Sequence, residues 1–274
     1  MNNINGWEQE RRVHFDEIVL IYDKIRLNYP DELFKEIISF SGLKTNGKAL
    51  EIGAGTGKAT KMFLEYGCDV TAVELGENMS EFLNEKFHDY KNFNVITDSF
   101  ENAEIKNENF DIIYAATAFH WVDSEIGCPK AFRLLKKGGT FALFRYNAIP
   151  NVGEPLYEEI EEAYDKYYAS FYTQKSRPTK RTKEDYSQSN EIKNGFGFED
   201  MKKYGFSDIS MNFFEYSRTL NTEQYIDWLE TMSDHRVLPE ENRSALYAAI
   251  RATIEKHGGF ITSDYLFQLY MGKK

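Results

Sequence analysis

The sequence predicts a doubly wound α/β fold built on a mostly parallel sheet, and three observations lead to that prediction. Strand-like and helix-like segments alternate from residue 48 to residue 146. The segment from Phe110 to Thr117 is apolar almost throughout, which is typical of a strand buried on both faces. Glycines crowd the junction between the first strand and the helix after it. Such alternation favours helices on both faces of one sheet.

The first hundred and fifty residues supply most of this pattern. Apolar residues at helical spacing predict a helix within residues 8–25, and Tyr29-Pro30 interrupts it. Asp31 is expected to cap the next helix. The strands predicted after it are Lys48 to Ile52, Asp69 to Glu74, Phe93 to Thr97, Phe110 to Thr117 and Thr140 to Tyr146. The helices predicted between them are Lys58 to Tyr66, Asn78 to Phe87 and Ser124 to Leu135, the last broken near Pro129.

The pattern changes after Pro150. A helix is predicted from Glu154 to Tyr172, followed by a polar segment that contains the basic run 175–183. The elements predicted beyond it are a strand from Ser207 to Arg218, helices from Thr222 to Thr231 and from Pro239 to His257, and a strand from Tyr265 to Met271.

Charge and composition narrow the class of partner. The 274 residues carry a net charge of −11, which disfavours nucleic acid as a general partner. The two cysteines, Cys68 and Cys128, lie far apart, so neither a metal site nor a disulfide framework is expected. We expect no signal peptide and no membrane span, and hence a cytoplasmic protein. The oligomeric state is left open.

The glycine loop Glu51-Ile-Gly-Ala-Gly-Thr-Gly57 carries the strongest functional signal. Glycines allow a sharp turn and close approach of the backbone to a ligand, and the next helix presents its N-terminus there. Position 58 is Lys, where a dinucleotide fingerprint needs glycine, and Ala59 stands where a Walker phosphate loop needs Ser or Thr. A nicotinamide dehydrogenase is therefore disfavoured.

The loop resembles motif I of the class I S-adenosylmethionine-dependent methyltransferases, and further segments extend the likeness in order. They are Val70-Thr-Ala-Val-Glu74, Ile96-Thr-Asp98-Ser-Phe100, Phe119-His120-Trp121 and Leu134-Leu-Lys-Lys-Gly-Gly139. The N-terminal segment Tyr22-Asp-Lys-Ile-Arg26 resembles the corresponding segment of the small-molecule, trans-aconitate methyltransferase-like group. Leu27 stands where that group usually has a proline after the arginine.

The resemblance implies an open seven-stranded sheet in a single domain over residues 1–274. The cofactor-binding core is expected at 31–147, completed by 206–217 and 264–272. A helical cap is expected from 1–30, 150–205 and 218–262. The implied cofactor is S-adenosyl-L-methionine, which has its methyl group on a sulfonium.

The resemblance also implies roles for acidic residues at the strand ends. Glu51 would orient the amino end of the cofactor's methionine, and Glu74 would accept hydrogen bonds from both ribose hydroxyls. Asp98 would contact the adenine, with Glu101 close enough to compete for that role. The full set of expected cofactor contacts is Tyr22, Arg26, Glu51, Gly53, Ala54, Gly55, Gly57, Glu74, Leu75, Met79, Asp98, Ser99, Phe100, Ala115 and Phe119.

His120, Trp121 and Arg145 are the expected acceptor-binding residues. His120 follows the fourth strand, where open α/β sheets bind ligands. It is either a general base or part of the pocket wall, and the second role is favoured because methyl transfer depends mainly on orientation. Arg145 and the basic run 175–183 are two places where an anionic acceptor could be attracted.

These observations together predict a methyltransferase for a small-molecule acceptor, with a carboxylate or a hydroxyl as the methylated group. Two alternatives remain. The acceptor could be RNA or a protein side chain, or the chain could bind the cofactor without catalysing a reaction, because a fold does not fix a function.

Overall fold

A computed structural model of the 274-residue chain describes residues 18–106, 109–172, 185 and 198–274. The basic run 175–183 and the predicted helical residues before 18 lie outside the described residues.

The centre of the structure is a seven-stranded sheet in the order β3-β2-β1-β4-β5-β7-β6. The first five strands in this order are parallel to one another, whereas β7 runs antiparallel to β5 and to β6. The predicted doubly wound, mostly parallel sheet is therefore confirmed. The strands are β1 (Lys48–Ile52), β2 (Asp69–Glu74), β3 (Phe93–Thr97), β4 (Phe110–Ala116), β5 (Leu135–Ile149), β6 (Ser207–Asn221) and β7 (Phe260–Lys273).

Helices surround the sheet and form a further layer near its carboxyl edge. In the described ranges they are α1 (Val19–Ile25), α2 (Asp31–Ser41), α3 (Lys58–Tyr66), α4 (Glu77–Lys86), α5 (Ser124–Leu134), α6 (Pro155–Tyr167), α7 (Thr222–Glu230), α8 (Ser233–Arg236) and α9 (Glu240–Lys256). Short 3₁₀ segments cover Phe119–Trp121 and Phe198–Tyr204. No helix within the described ranges is long and apolar enough to span a membrane.

Strand β4 shows why its sequence is apolar throughout. Successive side chains of a strand point to opposite faces, and both faces are covered here. Ile112 and Tyr114 are buried in one hydrophobic cluster, while Ile113 and Ala115 are buried in the other. The first cluster includes side chains of α2 and α3, and the second includes those of α5.

A third hydrophobic cluster holds the helices outside the sheet together. It contains Ile160 of α6, Leu229 of α7 and Ile250 of α9, and Ile25 of α1 joins it. This helical layer gathers segments from the predicted cap. The predicted range 218–262 is too wide, however, because β6 continues to Asn221 and β7 begins at Phe260, and these two residues pair in register.

Other differences from the sequence-based predictions include the course of α5, the start of α2 and the start of β5. Helix α5 continues through Pro129, because the missing N–H affects only the carbonyl of Glu125, and both residues are exposed. Asp31 is the first residue of α2 and Pro30 is the N-cap, with no side-chain cap bond. Strand β5 begins at Leu135, which pairs with Phe110, so the predicted Gly138-Gly139 turn lies inside the strand.

Candidate active site

A cavity of about 680 Å³ opens at the carboxyl ends of the parallel strands. Its wall includes Gly53 after β1, Glu74 of β2, Asp98 after β3, Thr117 after β4 and Tyr146 of β5. Open α/β sheets bind ligands in this crevice because the strand order reverses there, as it does here between β1 and β4.

The three glycines of the loop all have left-handed backbone angles, but they face different surroundings. Their φ values are 66° at Gly53, 56° at Gly55 and 77° at Gly57. A Cβ atom on Gly55 would meet no atom within 4 Å, so this glycine borders open space in the cavity wall. A Cβ on Gly57 would collide with the Phe87 ring. Gly57, a predicted cofactor contact, therefore serves close packing against the end of α4 and lies outside the cavity lining.

Glu74 joins the glycine loop to the turn after β2. Its Oε2 accepts a hydrogen bond from the Gly55 backbone N–H at 2.6 Å, and its Oε1 accepts one from Gly76 at 3.0 Å. A carboxylate offers about four acceptor positions. These bonds fix the orientation of Glu74 at the wall of the larger cavity.

Asp98 and Glu101 both lie in the loop after β3, and the sequence alone could not decide which of them contacts the adenine. Asp98 Oδ1 accepts the Ser99 backbone N–H at 2.7 Å, and Glu101 Oε1 accepts that of Asp123 at 3.3 Å. Both acids line the cavity. The bond to Asp123 ties Glu101 to the segment before α5, whereas Asp98 is bonded to the backbone of the residue after it.

Glu51 is a buried carboxyl group beneath the loop. Its Oε2 accepts hydrogen bonds from Thr60 Oγ1 and from the Tyr114 hydroxyl at 2.9 Å, whereas Oε1 is buried without a partner among the described residues. Burial raises the pKa of Glu51 to about 8, although the bonds from Thr60 and Tyr114 oppose the shift. The folded chain thus contains an acceptor atom that a cationic ligand group would satisfy.

Arg26 is a half-buried cation at the end of α1. Its NH1 donates to the Tyr146 hydroxyl at 3.0 Å, and its NH2 donates to the carbonyl of Thr231 and contacts Met232 Sδ. Burial acts to lower the pKa of Arg26, yet Tyr146 and Tyr22 raise it above its ordinary value. Within the described chain it forms no ion pair with an acid, and its Nε has no partner.

A smaller cavity of about 60 Å³ brings Arg26 and Glu51 together. Gly53, Gly55, Thr117, Tyr22 and Tyr146 line both this cavity and the larger one, so the two spaces adjoin. Lys58 adds a second cation to the smaller cavity, and burial lowers the pKa of that lysine.

Thr117 marks local strain where the two cavities adjoin. It has a φ of 56°, which is unfavourable for a β-branched residue. Its backbone N–H donates to the Phe144 carbonyl at 2.7 Å, and its hydroxyl lies 2.9 Å from the Tyr29 hydroxyl. Strained backbone of this kind persists where surrounding contacts enforce it and is concentrated at functional sites.

The predicted acceptor residues lie on the side of the cavity formed by β4 and β5. His120 belongs to the 3₁₀ turn after β4, and its ring centroid is 5.0 Å from that of Trp121. Arg145 Nε donates to Gln268 Oε1 at 3.0 Å. His120, Trp121 and Arg145 all line the larger cavity.

Most of the predicted site residues line one connected space. The predicted residues that line the larger cavity are Tyr22, Arg26, Gly53, Gly55, Glu74, Leu75, Met79, Asp98, Ser99, Phe100, His120, Trp121 and Arg145. Glu51 and Ala54 line the smaller cavity instead. Ala115 and Phe119 line neither cavity, because their side chains are buried in the second hydrophobic cluster. They border a separate space of about 10 Å³.

Several lining residues were not predicted. Tyr146 could have been found from its place at the end of the fifth strand, next to Arg145. Trp228 of α7, Met232 of the following turn and Asp234 of α8 had no local signal, because these segments reach the cavity only through the tertiary fold.

Comparisons with known proteins agree with this geometry. Residues 50–143 match the family described as "Methyltransferase domain". An uncharacterized methyltransferase of Mycobacterium tuberculosis is 27% identical over 135 residues, 49% of this chain and 53% of the relative. An uncharacterized methyltransferase-like protein of Schizosaccharomyces pombe is 24% identical over 237 residues, 86% of this chain and 84% of that relative. The chain spans about half the length of the first of these relatives.

The fold also matches solved structures. Haemonchus contortus phosphoethanolamine N-methyltransferase 2, solved with phosphomonomethylethanolamine and S-adenosylhomocysteine, superposes with a TM-score of 0.54 at 17% identity. The match covers 97% of this chain and 58% of that one. At this identity the likeness demonstrates the shared fold.

Proposed function

Since residues 50–143 match the family described as "Methyltransferase domain", we propose that the protein transfers a methyl group from S-adenosyl-L-methionine to a small-molecule acceptor. The methylated group is a carboxylate or a hydroxyl. The helical layer of α6 to α9, together with α1, acts as the cap over the site.

One observation carries this proposal: a buried carboxyl oxygen and a buried arginine nitrogen, both without a partner among the described residues, belong to side chains that line the same small cavity. Glu51 Oε1 and Arg26 Nε are those atoms. A buried polar group without a partner is costly. An α-amino acid moiety would satisfy both, because its ammonium can pair with Glu51 and its carboxylate with Arg26. The methionine end of the cofactor has that pair of groups.

The nucleoside end of the cofactor fits the other side of the larger cavity. Glu74 is held by two backbone N–H groups beside the loop and would accept bonds from the ribose hydroxyls. Asp98 would accept a bond from the adenine amino group. Gly55 lets the ligand approach the backbone between them, since no side chain occupies that space.

The residues of the chain orient the reaction. When bound, the cofactor supplies a methyl group on a positively charged sulfur. Glu51, Arg26 and Glu74 would hold the cofactor at both ends, and the β4 and β5 side would hold the acceptor in line with that methyl group. Such positioning supplies much of the rate of a displacement reaction. We assign His120 to the pocket wall, since a carboxylate acceptor carries no proton to remove.

Two alternatives predict other outcomes. The net charge of −11 disfavours an RNA acceptor. The recessed position of the site in a crevice at the strand ends favours a small molecule over a protein side chain. A cofactor-binding protein without activity would bind the ligand and transfer nothing.

The deciding experiment incubates the protein with methyl-labelled S-adenosyl-L-methionine and separate panels of small carboxylic acids, phenols and amines. Total RNA and a mixed protein substrate form two further arms. Label in a carboxylic acid or phenol supports the proposal, and label in RNA or protein supports the first alternative. Binding of the cofactor, measured by calorimetry, without transfer in any arm supports the second. Binding of NAD in place of the cofactor would refute the assignment of the loop.

A further inference from the structure

Three side chains at the β5–β7 pair form a closed ring of hydrogen bonds beside the larger cavity. Arg145 Nε donates to Gln268 Oε1 at 3.0 Å, and Arg145 NH2 donates to Asn147 Oδ1 at 3.1 Å. Asn147 Nδ2 closes the ring by donating to Gln268 Oε1 at 2.7 Å. Arg145 and Gln268 are directly opposite in the register of the two strands.

The direction of every bond in this ring follows from the chemistry of arginine. A guanidinium has donors only. Both amide oxygens must therefore face Arg145, which turns the NH₂ group of Asn147 towards Gln268. Each side chain has one orientation that satisfies the ring, so Asn147 and Gln268 both constrain the guanidinium.

Only two members of the ring lie at the cavity. Arg145 and Asn147 line it, whereas Gln268 is 1% exposed and stands behind them. Arg145 and Asn147 lie near the end of β5. They are separated by β1 and β4 from Glu74, at the end of β2, and from Asp98, which follows β3. With the cofactor spanning β1 to β3, the acceptor occupies the side where Arg145 and Asn147 are fixed.

Gln268, the residue opposite Arg145, is uncharged, and the alternatives at this position show what that neutrality does. A glutamate at 268 would hold the guanidinium equally well but would cancel its charge. An apolar residue would preserve the charge but leave Arg145 Nε without its acceptor. Glutamine accepts the hydrogen bond from Arg145 without adding a negative charge beside the guanidinium.

We propose that Gln268 is a positioning residue that sets the orientation of Arg145 and Asn147 and thereby the orientation of the acceptor. This rests on the proposed function for the identity of the acceptor side, but the ring itself can be tested without turnover.

The first measurement follows the Arg145 Nε–H resonance by NMR in ¹⁵N-labelled protein loaded with S-adenosylhomocysteine. Comparison with Arg145→Lys assigns the resonance. We expect a resolved, slowly exchanging signal in the parent, a broadened one in Gln268→Met, and recovery in Gln268→Glu, which restores an acceptor. An unchanged signal in Gln268→Met would overturn the proposal.

The second measurement uses the acceptor with the highest turnover in the panels above. Gln268→Met should lower kcat/KM for that acceptor by about tenfold to a hundredfold, since a hydrogen bond to a charged group is lost. Affinity for S-adenosylhomocysteine should stay within twofold of the parent. Gln268→Glu should keep turnover of neutral acceptors and lose turnover of acidic ones.

Leu269→Val is the matched control, because Leu269 is equally buried on β7 but belongs to the opposite hydrophobic cluster. It should reduce stability without changing the acceptor KM. If Gln268→Met and Leu269→Val alter the KM alike, or if Gln268→Met weakens S-adenosylhomocysteine binding as much as kcat/KM, the role of Gln268 is merely structural. A parent protein that binds no S-adenosylhomocysteine would instead refute the proposed function.

Discussion

Glu51 makes the strongest quantitative prediction, because its pKa in the unliganded protein lies far from its ordinary value. Burial raises that pKa from 4.5 to about 8. The unfolded chain releases the proton near 4.5, whereas the folded chain retains it until about 8. The contribution of neutral Glu51 to stability is therefore complete below pH 4.5 and is lost as the pH rises towards 8. The loss amounts to about 1.4 kcal/mol per pH unit.

Replacing the carboxyl group tests this reasoning. Glu51→Gln retains an oxygen for the Thr60 and Tyr114 hydroxyls and removes the titration. At pH 7 we expect the unliganded variant to be more stable than the parent by roughly 3 kcal/mol, which is the cost that the parent has accumulated above pH 4.5. At pH 4.5 the two should have the same stability. Chemical denaturation at both pH values measures the difference.

Cofactor binding should cause Glu51 to lose the proton that it holds in the unliganded protein. An ammonium group beside Oε1 favours the carboxylate, so binding at pH 7 should release close to one proton. Calorimetry in two buffers of different ionisation enthalpy measures this release. Affinity should rise from acidic pH towards neutrality and fall above about pH 8, where the ligand's own α-ammonium loses its proton. Glu51→Gln should release no proton from this site. A parent that releases none at pH 7, or a variant whose stability follows the parent at every pH, would contradict the assignment.

Three further substitutions test other parts of the site. Gly55→Val should abolish cofactor binding, because its side chain would fill the space at the loop; Gly138→Val, equally strained by a positive φ but remote from the cavity, should leave the Kd measured by calorimetry unchanged. Glu74→Ala should weaken cofactor binding by about 1–3 kcal/mol through lost hydrogen bonds to a charged group, and an unaltered Kd would remove Glu74 from the ribose site. His120→Asn should mainly raise the acceptor KM in steady-state kinetics; a fall in kcat of about 10²–10⁴-fold with loss of the neutral pH limb would instead identify a general base.

The parts of the fold that could be predicted are those with a local sequence cause. The strand and helix alternation through residue 146 comes from hydrophobic periodicity, and the glycine loop comes from backbone requirements that few residues meet. The roles expected of Glu51, Glu74 and Asp98 came from the resemblance of their segments to the methyltransferase family. The break predicted near Pro129 is wrong, because a proline removes only one hydrogen bond of the helix. The energetic cost of that loss is small here, since Glu125, whose carbonyl loses its partner, is exposed.

The parts that could not be predicted depend on distant contacts. The role of Gly57 is set by the Phe87 ring, thirty positions along the chain. Trp228 and Met232 reach the cavity because the third hydrophobic cluster positions α7 beside α1. The ring formed by Arg145, Asn147 and Gln268 required the β5–β7 register, which periodicity does not supply.

The position of β7 between β5 and β6 constrains how the chain can fold during synthesis. Strand β6 leaves the ribosome before β7, yet β7 is its neighbour in the described sheet. The five parallel strands can assemble first, with the outer edge of β5 unpaired. Until residues 260–273 emerge, that edge and the whole of β6 expose backbone donors and acceptors to other chains. A nascent chain halted before residue 260 should therefore depend on chaperones, whereas one released beyond residue 273 should close its sheet unaided.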